Sequence, residues 1–315
     1  MSTLSAQLDT YLKIRRGLGF SLRTDERILR RFIDFVALDG SNHLERDHFL
    51  RWMNSFGKAG QYTWSRRLGI VRLFVVWLHA NDSQHEVPPA NLVPHRKRRP
   101  KPFIYKSGEI AQILDQASKL PSVNGIRRLT YPTLFGLIAV TGLRISEALS
   151  LDRDDIDFTQ DIVMVRNGKS GKQRIVPFSE STSSKLQSYA RERDRLCEGP
   201  PVPFFVDDHG RRISDCAARY NFASVSQAVG LRRPQRYGRH GVGPRIHDLR
   251  HTFAVQTMTD WYRQGLDPNQ EMIKLITILG HESVSHTYWY IEAVPELLEL
   301  ASRRAELSLE REARQ

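Results

Sequence analysis

Five prolines fall between residues 88 and 102 (Pro88, Pro89, Pro94, Pro100 and Pro102), and this cluster restricts the folding of the chain more than any other feature. Each proline lacks the amide that a helix or sheet ladder uses, and each pushes the residue before it toward extended backbone. The chain is therefore expected to divide near residues 88–104. The same segment carries HRKRRPK at residues 95–101. Such a run can serve as a nuclear localisation signal; the reading adopted is a basic linker along DNA, with Arg96, Lys97, Arg98 and Arg99 on phosphates.

Residues 1–87 read as helical. Ile28, Leu29, Phe32, Ile33 and Val36, and later Ile70, Leu73, Phe74, Trp77 and Leu78, recur at helical spacing. Helices are expected over 5–17, 22–38, 46–56 and 61–80, packed as a bundle because each apolar stripe needs a partner. Arg15, Arg16, Arg23, Arg27, Arg30, Arg31, Arg66, Arg67 and Arg72 would lie on the outer faces. One reading is a solvated basic surface; the other, preferred because few acids are interspersed, is a phosphate clamp in which Arg66, Arg67 and Arg72 bind DNA. A formal net charge of +12 fits a polyanionic partner. Cys197 and Cys216 offer neither metal spacing nor a disulfide framework and are read as reduced thiols. With no apolar leader and no stretch long enough to span a bilayer, a cytoplasmic, nucleoid-associated protein is expected.

Beyond the prolines, the chemistry-bearing residues cluster in short motifs. Arg144 stands in TGLRISEAL, His247 and Arg250 in HDLRHTF, and His281 in ITILGH, nine residues before Tyr290. Arginine's planar fork matches two phosphate oxygens at once, so two arginines can hold a phosphodiester and stabilise its transition-state charge. A tyrosine hydroxyl can act as the nucleophile. Between the β-rich runs DIVMVR (161–166) and QRIVPF (173–178) lies a hairpin signal whose tip carries Lys169, with Lys172 nearby. His247 and His251, four apart, share a helical face as a zinc pair would. Asp248 in place of the zinc-protease glutamate, the neighbouring Arg250 and the lack of a third ligand argue against a metal.

In this order, the motifs resemble the tyrosine recombinase (phage integrase and Xer-like) family over roughly residues 105–293. The resemblance implies a mainly α fold: a helical, SAM-like core-binding domain (1–87), the linker (88–104), and a mixed α/β catalytic domain with a small antiparallel sheet (105–294). A tail helix (295–315) would dock on a neighbouring protomer; docking on its own domain is the alternative. A further N-terminal arm-binding domain is not expected. The resemblance assigns catalysis to Arg144, Lys169, His247, Arg250, His281 and Tyr290, with Glu147 supporting. Tyr290 would attack a DNA phosphate to give a 3′-phosphotyrosine, His247 would take its proton, and Lys169 would protonate the leaving 5′ oxygen. Tyr288, two residues short of the family spacing, is the rejected nucleophile.

No cofactor is implied, because the phosphotyrosine retains the energy of the broken bond, and no GxxxxGK[ST] loop is present. Expected partners are double-stranded DNA with inverted-repeat core sites and three further copies in a tetramer on two sites, with related recombinases as an option. A mobile-element integrase or transposase is preferred over dimer resolution, because the Arg250 to His281 interval is longer than in compact relatives. The extra residues, near 261–270, are expected to alter a protein contact. A topoisomerase-like enzyme and a non-catalytic DNA-binding regulator are the other classes.

Overall fold

The computed structural model describes residues 3–55, 59–94, 101–166, 173–197, 199–233, 243–281, 283 and 285–312. The linker cations Arg96, Lys97, Arg98 and Arg99 and the hairpin lysines Lys169 and Lys172 lie outside the described residues. The chain forms two compact units, Met1–Pro100 and Lys101–Gln315.

The first unit contains α1 (Leu4–Gly17), α2 (Arg23–Ala37), α3 (Arg46–Ser55) and α4 (Gln61–Asn81). Thr3 opens α1, its hydroxyl accepting the Ala6 amide at 3.3 Å. Leu29, Phe32, Ile33 and Val36 of α2 meet Leu68, Val71, Phe74 and Leu78 of α4 in one core with Phe49 and Trp52 of α3. Trp52 and Trp64 pack edge to face at 5.2 Å. Residues 88–94 belong to this unit rather than to a free linker. Val93 is buried in its core, and the Arg72 Nε donates to the Pro88 carbonyl at 3.1 Å.

The expected basic clamp is modified in three places. Arg72 is spent on that carbonyl. Arg67 lies over Trp64, with its guanidinium carbon 4.5 Å from the ring. On α1 and α2 acids are in fact interspersed: Arg30 binds Glu26 at 2.8 Å and Asp9 at 2.9 Å, and Arg16 also pairs with Glu26. Arg66 is exposed.

The second unit opens with α5 (Ser107–Ala117) and α6 (Ile126–Thr141), continues through α7 (Ile145–Ser150), and then forms β1 (Ile156–Asp157), β2 (Ile162–Val165) and β3 (Arg174–Pro177). The strands are antiparallel in the order β1-β2-β3, with Val163 opposite both Ile156 and Val176. After the sheet come α8 (Glu180–Leu196), α9 (Asp215–Ala228), α10 (Ile246–Arg263), α11 (Pro268–Leu279), α12 (Ser285–Ala293) and α13 (Pro295–Glu312).

The apolar run of α6 is central: Leu134, Phe135 and Ile138 are fully buried among residues of α5, α7, α9 and the sheet. Each such side chain contributes about 1.5–3 kcal/mol. A second cluster joins Val255 and Met258 of α10, Leu275 and Leu279 of α11, Tyr290 of α12, and Leu297 of α13. The tail helix thus rests on its own domain within this chain. Arg304 of α13 reaches the turn before α11, donating to the Leu266 carbonyl and to Asp267, so part of the 261–270 interval is in contact with the tail.

Candidate active site

Helix α11 begins with Asp267 capping the Asn269 amide and Pro268 in the first turn, and it ends where Gly280 turns left-handed at φ 61°. The last carbonyls of a helix have no partner within it and carry its negative dipole end. Here three consecutive carbonyls each receive an arginine from a different element. Arg174 Nε of β3 donates to Ile278 at 2.8 Å, an Arg250 terminal nitrogen of α10 to Leu279 at 2.6 Å, and an Arg144 terminal nitrogen to Gly280 at 2.8 Å. One helix end thereby fixes three guanidinium groups.

Further bonds lock each one. Arg250 also donates to the Gly142 carbonyl at 2.7 Å. Gly142 ends α6 at φ 66°, and a Cβ there would come within 2.5 Å of Phe253 and 2.8 Å of Leu279, so only glycine suits this close approach. Glu147, buried in the first turn of α7, accepts the Arg144 amide at 2.9 Å and the Arg144 guanidinium at 2.8 Å. It also takes a two-pronged contact from Arg174 at 2.9 and 2.7 Å. Burial alone would raise the Glu147 carboxyl, but Arg174 and Arg144 outweigh it and hold the pKa at about 2.

The charge in this cluster is not balanced. Arg250 is 1% exposed, and burial followed by the neighbouring Arg144 charge lowers its pKa to about 9. His247, one turn earlier on α10, is pushed down to about 4 by desolvation and then by Arg250, Arg245, Arg144 and Arg219. Its side chain is nonetheless open to solvent by surface area. The crowd of guanidinium groups is therefore the firmer of the two causes, and it is the one an arriving anion relieves. A neutral His247 beside locked arginines is a donor set for a phosphate.

Tyr290 lies on α12, 1% exposed, and is among the groups whose charge acts on Arg250. Its Oη is 2.6 Å from His251 Nδ1. The histidine hydrogen-bonded to the tyrosine is thus His251 and not His247, whose ring stands 4.5 Å from that of His251. Tyr288 points elsewhere, 41% exposed with its hydroxyl 3.3 Å from Asn269. His281 follows Gly280, and its Nδ1 is 2.7 Å from the Thr287 hydroxyl of α12, which ties the end of α11 to the tyrosine helix.

Of the residues expected from the sequence, Arg144, Glu147, Arg250 and His281 gather around the end of α11, with His247 and Tyr290 adjoining through α10. Two members of the cluster had no assigned role. Arg174 carries no local signal, since its partner lies 27 residues away. His251 did carry one, its four-residue spacing from His247, which had pointed only to a metal. Among the described residues no group of three or more His, Cys, Asp or Glu is placed to hold a metal ion, and no helix is long and apolar enough to cross a membrane.

Residues 105–296 match the phage integrase family model. A Sinorhizobium fredii protein named integrase/recombinase y4rB is 36% identical over 311 residues, 97% of this chain and 98% of its own. Tyrosine recombinase XerA of Thermococcus kodakarensis is 26% identical, over 96% of this chain and 94% of its own. In fold, the chain is similar to XerH recombinase bound to a palindromic difH substrate (TM-score 0.64, 19% identity, 96% of this chain and 85% of that one). It is equally similar to the Tn1549 transposon integrase with transposon right end DNA (TM-score 0.64, 17% identity, 96% and 98%). The chain belongs to the phage integrase family, the site-specific tyrosine recombinases that cut and rejoin DNA.

Proposed function

We propose that Tyr290 is the nucleophile that opens a phosphodiester in a double-stranded core site, forming a 3′-phosphotyrosine and releasing a 5′ hydroxyl. Arg144 and Arg250 grip the non-bridging oxygens, and His247 and His281 donate further hydrogen bonds as charge develops on the phosphorus. Lys169 protonates the departing 5′ oxygen, and the 5′ hydroxyl of a second strand reverses the step. Glu147 holds the arginines in register. The observation that carries this reading is the set of guanidinium groups fixed on three successive α11 carbonyls with a buried tyrosine beside Arg250.

The working assembly in this proposal is four copies on two inverted-repeat sites, and the biological task is movement of a mobile element. That task is supported by the near full-length likeness to a protein named integrase/recombinase and by the fold shared with a transposon integrase. The chemistry is tested with a nicked suicide substrate. Tyr290→Phe should bind DNA as the parent does and form no covalent adduct, whereas Tyr288→Phe should form it normally. An adduct from Tyr290→Phe would overturn the assignment.

A further inference from the structure

Tyrosine is a poor nucleophile while protonated. With an ordinary pKa near 10, only about one phenol in a thousand is ionised at neutral pH, so the attacking oxygen needs a proton acceptor within hydrogen-bond reach. Among the described residues, a group at that distance is His251, whose Nδ1 is 2.6 Å from the Tyr290 Oη. His251 is 8% exposed, held between its own helix and α12, with Trp289 and Tyr290 edge-on at 5.9 and 5.4 Å between ring centroids. The helix beside it is anchored as well. The next residue of α10, Thr252, donates to the Asp248 carbonyl at 2.8 Å and accepts the Tyr105 amide at 2.9 Å.

We infer that His251 is the catalytic base that receives the Tyr290 proton during strand cleavage, an assignment that rests on Tyr290 being the nucleophile. In the tautomer that accepts at Nδ1, the phenol donates along the 2.6 Å contact. As the bond from Oη to phosphorus forms, the phenolic proton passes to Nδ1, the bond from phosphorus to the 5′ oxygen breaks, and that oxygen takes a separate proton from Lys169. Rejoining runs backward: Lys169 takes the proton of the attacking 5′ hydroxyl, and the imidazolium of His251 returns its proton to the departing phenolate. Protons and charge balance across the two steps. The transfer also places a cation next to Arg250, which is favourable only with the phosphate's negative charge in the site. Proton transfer is thereby tied to occupied DNA.

The assignment separates two neighbouring histidines. His247 lies among guanidinium groups and serves the phosphate, while His251, one turn further along α10, serves the nucleophile.

The test uses the full chain and a nicked suicide DNA. Asparagine presents a polar atom near the place of Nδ1, so His251→Asn keeps a hydrogen-bond partner for the phenol and removes the basicity. His251→Asn should bind DNA as the parent does in a gel shift but form adduct roughly 100-fold more slowly or worse. Introducing 2,3,5-trifluorotyrosine at position 290, whose phenol is far more acidic, should restore most of the lost rate in His251→Asn and little of it in Arg250→Ala. A merely structural histidine would show no such selective rescue. A His251→Asn rate within about threefold of the parent, or a loss that the acidic tyrosine does not repair, overturns the inference. If Tyr290→Phe is inactive while His251→Asn is normal, only this inference fails; if Tyr290→Phe forms adduct, the nucleophile assignment fails.

Discussion

Arg144, Arg174 and Arg250 arrive from three elements and are each held by at least two hydrogen bonds to backbone or to Glu147. Tyr290 is held differently. It sits on one short helix, bonded to His251 and packed in a small apolar cluster with Val294 and Leu297. The arginine cradle is built into the core of the domain, whereas the placement of Tyr290 depends on how α12 and α13 rest on α10. The two halves of the proposed reaction centre thus have different mechanical foundations: the donors for transition-state charge are organised in advance, and placement of the proposed nucleophile is a packing matter that other contacts can influence.

The largest effect should come from the cradle. Removing one preorganised donor of transition-state charge costs about 100-fold to 1,000-fold in rate. Arg250→Ala should lose at least that in single-turnover adduct formation, and Arg250→Lys should recover little, because an ammonium cannot span the Gly142 and Leu279 carbonyls and still present a flat donor edge. Near-parental activity in Arg250→Lys would mean that a point charge, not the fork, is what matters.

Next in size is the buried carboxylate. Glu147→Gln leaves two guanidinium groups without their counter-charge and should cost about 3–5 kcal/mol of stability, read as a lower thermal midpoint at neutral pH. The pH dependence has a definite sign. The folded pKa, about 2, lies below the ordinary 4.5, so the stabilisation is full above 4.5 and is lost as the pH falls toward 2. The parent should lose about 3 kcal/mol across that window from this group, and Glu147→Gln should lack that component. Parallel pH curves for the two proteins would remove Glu147 as the keystone of the cradle.

The nucleophile half should respond to a smaller perturbation far from the phosphate. Leu297→Ala opens a cavity under α13 and should cost about 2–3 kcal/mol. Because the arginines are anchored elsewhere, this variant should bind DNA nearly as the parent does and form adduct more slowly. Equal loss of binding and cleavage would erase the distinction between the two halves. The smallest effect is expected in the first unit. Arg66→Ala should flatten the slope of log affinity against log salt by about 0.9, whereas Arg72→Ala should leave the slope unchanged and cost about 1 kcal/mol of stability.

Much of this architecture is legible from local sequence because its causes are local. The stripes of α2 and α4 follow from apolar residues three and four apart, and the paired strands β2 and β3 from β-branched runs. The Arg, His-x-x-Arg, Gly-His and Tyr order is legible through its resemblance to the tyrosine recombinases; Arg144, His247 and His281 stand at element ends, and Tyr290 lies within α12. What stayed hidden depends on distant partners. Nothing near Arg174 announces a carboxylate on α7, and nothing near Arg72 announces the Pro88 carbonyl. The prolines exclude helix and favour an extended linker; Val93 is buried all the same, since exclusion of helix does not exclude packing. His251 was visible, but the four-residue spacing that suggested a ligand pair also suits two histidines serving different atoms.

The end of α11 has a consequence for how this chain can vary in length. Ile278 and Leu279 carry their carbonyls one helical step apart, about 100° around the axis, and the left-handed Gly280 that follows sets the direction of the third. Three arginines from β3, α10 and the α6–α7 turn are matched to those directions. Inserting or deleting a single residue late in α11 would swing all three acceptors around the axis together and leave every guanidinium facing the wrong carbonyl. The helix end acts as a gauge whose phase is shared by residues far apart in the chain. Length changes are tolerable in the turn at 264–266, between α10 and α11, and are barred over the final turn of α11.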